Sequence, residues 1–123
     1  MRLDAVTVSK IRIFIHIKIL LKFKDTGKLK MDTKFVWDAD KERANVEKHG
    51  VDFHQARLAF LDPYRKIYKD AKHSNHEERY FCIGKVNSKI LTVRFVYRHE
   101  EIRVLGAGFW RKGRSLYEKE NDR

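Results

Sequence analysis

Arg98 and Arg103 stand on either side of His99-Glu100-Glu101, where one apolar alternation ends and the next begins. A guanidinium stays charged and offers paired donors, so two of them at one turn suit a single phosphate. The alternative is a pair of solvated strand-end arginines, or ion pairs to Glu100 and Glu101. Arg79 follows Glu78, which serves either as its ion-pair partner or as a general base. His49 precedes Gly50 at the end of a helical pattern, where the helix dipole favours the imidazolium. It fits proton transfer or plain C-terminal capping. Trp110 lies between Phe109 and Arg111-Lys112 and reads as an exposed stacking surface or as packing beneath the last helix. Trp37 reads as a stacking residue or a core residue. Together these side chains hold anions, stack on planar groups and move protons.

The charge balance points the same way. The 123 residues carry 28 Lys and Arg against 17 Asp and Glu, a net +11, which favours nucleic acid, an anionic membrane surface or an acidic protein as partner. His73 and His76 sit in a charged loop beside Glu77 and Glu78, but a zinc site wants three or four ligands in a fixed frame, so no metal and no cofactor is expected. Cys82 is the one cysteine; it excludes an internal disulfide, fits a reducing compartment and has no partner placed for nucleophilic work. Gly106-Ala107-Gly108 follows a strand but lacks the third glycine and the lysine spacing of a phosphate loop. No apolar stretch approaches a membrane span, so the expectation is a cytoplasmic protein with no membrane partner.

The elements that must position these residues are punctuated clearly from Met31 onward. Phe35-Val36-Trp37 is a short strand; Asp38 or Asp40 caps a helix over Ala39 to Lys48, with Gly50 at C′. Asp52 caps a second helix, Gln55 completing an approximate capping box, with Phe53, Ala56 and Phe60 on one face. Asp62-Pro63 ends it. The period then changes to two: Arg65 to Lys69 as a weak edge strand, Tyr80 to Val86, an Asn87-Ser88 turn, Lys89 to Arg98, and Ile102 to Phe109. In the Lys89 strand, Leu91, Val93, Phe95 and Tyr97 face one way and Thr92, Arg94 and Arg98 the other. A basic-to-acidic helix, Arg111 to Glu120, closes the chain. The expectation is an α+β domain over residues 31–123: strand, two helices, an antiparallel meander, helix, with the helices against one face of a small sheet.

Residues 1–30 stand apart, with eight basic and two acidic side chains and isoleucine at every second position from Ile11 to Ile19. They read either as a genuine extra strand or as a start assigned upstream of Met31.

An ordered set of motifs carries a resemblance. Phe35-Val36-Trp37-Asp38, Lys48-His49-Gly50-Val51-Asp52-Phe53, Ala56, Phe60 and Asp62-Pro63 are followed by Glu78-Arg79-Tyr80 and Ile83-Gly84. The strand from Phe95 to Arg98, Ile102-Arg103-Val104 and Tyr117-Glu118 complete it. From Phe35 to about Glu120 the chain resembles the BrnT toxin family. The resemblance implies a RelE-like fold and a toxic ribonuclease of a bacterial type II toxin–antitoxin pair. It also implies a cognate antitoxin that neutralises the toxin, RNA as substrate, and promoter DNA bound only through the antitoxin complex. One departure stands out: relatives commonly end the last strand with Ser-Ala-Arg, and here Gly108 occupies the arginine position. Either Arg111 and Lys112 take over its phosphate contact or the site is weakened.

Metal-free RNA cleavage uses the neighbouring 2′-hydroxyl as nucleophile. It requires cationic donors for the phosphorane and a group that moves protons. On that reading Arg98, Arg103, Arg79, Glu78 and His49 are the candidate catalytic residues, and Arg111, Lys112, Trp110 and Trp37 the candidate RNA contacts. The alternative is a catalytically degenerate module of the same fold that binds nucleic acid, or acts in autoregulation, together with a partner.

Overall fold

The computed structural model describes residues 33–74 and 76–121; the isoleucine alternation and the Met31 boundary lie outside the described residues. Strand β1 (Lys34–Val36) leads into helix α1 (Ala39–His49) and the short helix α2 (Phe53–Arg57), which continues as a 3₁₀ turn over Leu58–Leu61. Strands β2 (Lys66–Lys69), β3 (Arg79–Val86), β4 (Lys89–Arg98) and β5 (Glu101–Gly108) follow, then helix α3 (Arg111–Asn121). The sheet order is β1-β5-β4-β3-β2. β1 runs parallel to β5, and the other neighbours are antiparallel.

Local chemistry sets the boundaries. Of the two candidate aspartates, Asp38 is the cap: it accepts from the Lys41 amide at 3.0 Å, while Asp40, inside the first turn of α1, pairs with Arg43 at 2.6 Å. Gly50 takes the left-handed conformation at φ 70° and donates its amide to the Val46 carbonyl, closing α1. Asp52 caps α2 through the Gln55 amide at 2.7 Å. Two-residue turns join β3 to β4 and β4 to β5, with positive φ at Asn87 and Ser88 and at His99 and Glu100. That backbone suits the right-handed twist of tight hairpins.

The sheet is covered on both faces. Side chains alternate along β4, so Leu91, Val93 and Phe95 share one face. There Phe95 meets Phe60 edge-on at 5.1 Å between ring centroids and stacks on Tyr80 at 5.6 Å. On the same face the Ala59 carbonyl packs so close to Gly84 that a Cβ has no room. Buried Asn45 joins α1 to the end of β5: its amide donates to the Ala107 carbonyl and to that of Val51, both at 2.9 Å, and its oxygen accepts from the Ala107 amide at 3.1 Å.

Helix α3 crosses the opposite face, which corrects the expectation that all helices share one side. Gly113 packs directly against the Thr92 side chain, and Tyr117 closes a buried cluster with Ile83 and Ile90. Tyr117 also donates its hydroxyl to Asp62 at 2.6 Å. The period-two pattern of β4 masks this cover, because small Thr92 lies under glycine and reads as a solvent position.

Candidate functional site

The strand register brings the candidate arginines onto the α3 face. Val96 of β4 is paired with Arg79 on β3 and with Arg103 on β5. Two strand spacings separate the arginine backbones, roughly 10 Å. Arg98 and Arg94 lie two residues to either side of Val96 and share its face. Arg94 stands in register between Phe81 and Gly106.

A single carboxylate ties two of these cations together. Glu77 reaches Arg98 at 3.4 Å through one oxygen and Arg79 at 3.6 Å through the other. Glu78 instead pairs with Lys69 at 3.3 Å, and Glu101 with Lys34 at 3.5 Å. Arg94 and Arg103, both half-buried, have no carboxylate within ion-pair distance among the described residues.

Between strands β2 to β4 and helix α3 runs a groove of about 520 Å³. Tyr68, Phe81 and Ile83 contribute from the strands, Trp110 and Leu116 from the helical side, and Arg94 projects among them. Glycines make room for Arg94 and Trp110 in its lining. A Cβ on Gly106 would lie 2.9 Å from the Arg94 guanidinium, and one on Gly108 would lie 2.6 Å from the Trp110 indole. Gly108 is therefore the seat of Trp110.

The remaining candidates distribute as follows. His49, at the end of α1, meets Trp110 edge-on at 5.1 Å. With exposed Arg111 and Lys112 it forms a group at the Gly108 end of β5. Five residues of strand, roughly 16 Å, separate Gly108 from Arg103. Trp37 sits on the other face of the sheet: its indole donates to Glu42 at 3.1 Å and packs against Phe53 and His54. Cys82 is fully buried with its thiol toward the Ala59 carbonyl, and burial pushes the thiol pKa up. His73 binds the buried Asp70 carboxylate at 3.0 Å.

Two residues here escaped the sequence reading. Glu77 is one loop carboxylate among several, and only the fold sets it between two arginines. Arg94 had a signal: it is the one charge inside the apolar run from Ile90 to Tyr97.

A family model described as ribonuclease toxin, BrnT, of type II toxin-antitoxin system matches residues 37–113. A comparison with curated proteins gives no match. No helix among the described residues is long and apolar enough to cross a membrane. The match runs from Trp37 to Gly113 and takes in strands β2 to β5, with every strand that carries an arginine of this face, and on that extent the chain belongs to the BrnT family of type II toxin–antitoxin ribonuclease toxins.

Proposed function

We propose that the protein is a metal-independent endoribonuclease of RelE-like fold that halts growth by cutting RNA and is held inactive by a cognate antitoxin. The observation that carries this reading is the cluster of Arg79, Arg103 and Arg94 on one sheet face, with Arg94 and Arg103 free of carboxylate partners among the described residues. A scissile phosphate over Val96 lies within reach of donors on three strands. The 2′-oxygen attacks phosphorus, and the bond to the 5′-oxygen breaks. Arg103 and Arg94 stabilise the added negative charge, as preorganised donors do at developing oxyanions. Glu77, oriented by Arg79 and Arg98, takes the 2′-hydroxyl proton and returns it to the leaving 5′-oxygen. The products are a 2′,3′-cyclic phosphate and a 5′-hydroxyl. Promoter DNA is contacted only through the antitoxin complex.

Gly108 favours a second reading, a binding-only module, since Trp110 packs against the position at which the family resemblance implies an arginine. Incubating the purified full chain with end-labelled RNA in the presence of a chelator separates the two. The enzyme reading requires cyclic-phosphate ends that the chelator leaves undiminished. Intact RNA in a mixture where the folded protein binds it would establish the second reading instead.

A further inference from the structure

Helix α3 divides its sheet face into two grooves. Lys112, Gly113 and Leu116 border the one that contains Arg94. On the other flank Arg111 and Arg114 border a second groove, of about 630 Å³. Lys85 at the end of β3 and Lys89 at the start of β4 form its opposite wall, with Phe109 and Trp110 between the two sides. All four cations are exposed, and none pairs with a carboxylate among the described residues; Glu118 is the one acidic side chain in the lining. Phe109 is 39% exposed, and Lys89 sits 5.5 Å from its centroid. Trp110 lines both grooves.

We infer that the second groove is a further binding track for the same single-stranded RNA. The strand leaves the arginine face, passes Trp110 and continues between Lys85 and Lys89 on one side and Arg111 and Arg114 on the other. Phosphates meet the cations, and an unpaired base stacks on Phe109. Cationic walls with interleaved aromatic faces are the combination that holds single strands irrespective of sequence, since every base presents a π-face. Charge alone would serve an acidic protein segment equally. The exposed ring, and the indole shared with the first groove, favour a nucleic acid that runs through both. This inference rests on RNA being the ligand of the first groove.

The test uses the full-length protein with Lys85→Gln, Lys89→Gln and Arg114→Gln combined. Binding to a trinucleotide and to a longer unstructured RNA is measured over a salt series, with melting temperature as the folding control. Loss of three phosphate contacts should lower the salt slope for the longer RNA by about 2, at roughly 0.7 per contact on a single strand. Affinity for the longer RNA should fall at least tenfold, and by at least fivefold more than affinity for the trinucleotide. Equal losses on both RNAs, or an unchanged slope, would overturn the second track. Unchanged RNA binding with lost neutralisation by the antitoxin would also overturn it and assign the groove to the protein partner. Wild-type protein that binds neither RNA would instead refute the RNA reading of the first groove, and this inference with it.

Discussion

Arg79 and Arg103, 24 positions apart in the chain, flank Val96 in register on one face of the sheet. Arg79 is tethered to Glu77, whereas Arg103 has no carboxylate partner among the described residues. The two are therefore not equivalent. One helps to orient a carboxylate, and the other leaves its charge uncommitted on the sheet face.

Arg103→Ala is accordingly predicted to lower RNA cleavage by about 10²–10³, the cost of removing one preorganised donor. Arg103→Lys should recover only part of the loss, because a point charge does not replace a planar fork. The melting temperature should move by only about 3 °C, since the side chain loses no hydrogen bond or ion pair among the described residues. Kinetics on a defined RNA, with thermal melts of each variant, check all three statements.

The position of α3 depends on Gly113. A methyl group there would run into the Thr92 side chain, so Gly113→Ala should destabilise the domain by about 1–3 kcal/mol, as over-packing does. Thr92→Ala in the same chain should restore part of that loss. A double-mutant cycle from urea melts gives the coupling directly, and additivity of the two substitutions would show that they do not touch.

Asp62 joins three segments. It accepts from the Tyr64 amide at 2.8 Å, from the Lys85 amide at 2.7 Å and from the Tyr117 hydroxyl at 2.6 Å. Tyr117→Phe should cost about 1–2 kcal/mol, and Asp62→Ala more, because it strands two further donors at once. Hydrogen exchange in α3 should rise in both variants before the strands open.

Burial holds the Cys82 thiol in its neutral form, with the pKa raised. In the unfolded chain the thiol ionises near its ordinary value of about 8.5. Its contribution is therefore fully present below that value and is lost as pH rises beyond it, because only the unfolded chain then releases the proton. Thiol alkylation should be slow in the native protein and become fast in denaturant. Rapid native labelling would contradict the burial.

Much of this frame is written locally. Asp38, Gly50 and Asp52 mark helix ends through side-chain and backbone hydrogen bonds within a few residues, and Lys89 to Arg98 forms a strand with the bounds its alternation predicts. Arg79, Arg98 and Arg103 could be singled out because charge at a strand end is conspicuous. What local pattern does not encode is which element covers which face. Placing α3 on the second face rests on contacts such as Gly113 with Thr92 and Tyr117 with Asp62. Arg94 is hard to read for the same reason: where the cover of a strand face is not encoded locally, a polar position on it looks like solvent. The parallel pairing of β1 with β5 joins the two ends of the described domain and leaves no short-range signature.

The most direct test of the account is primer extension on total RNA after induction of the full chain, with and without the neighbouring open reading frame. The account predicts discrete new 5′ ends that appear with the protein alone, disappear on co-expression and are absent for Arg103→Ala. Intact RNA in cells that contain abundant folded protein would contradict it.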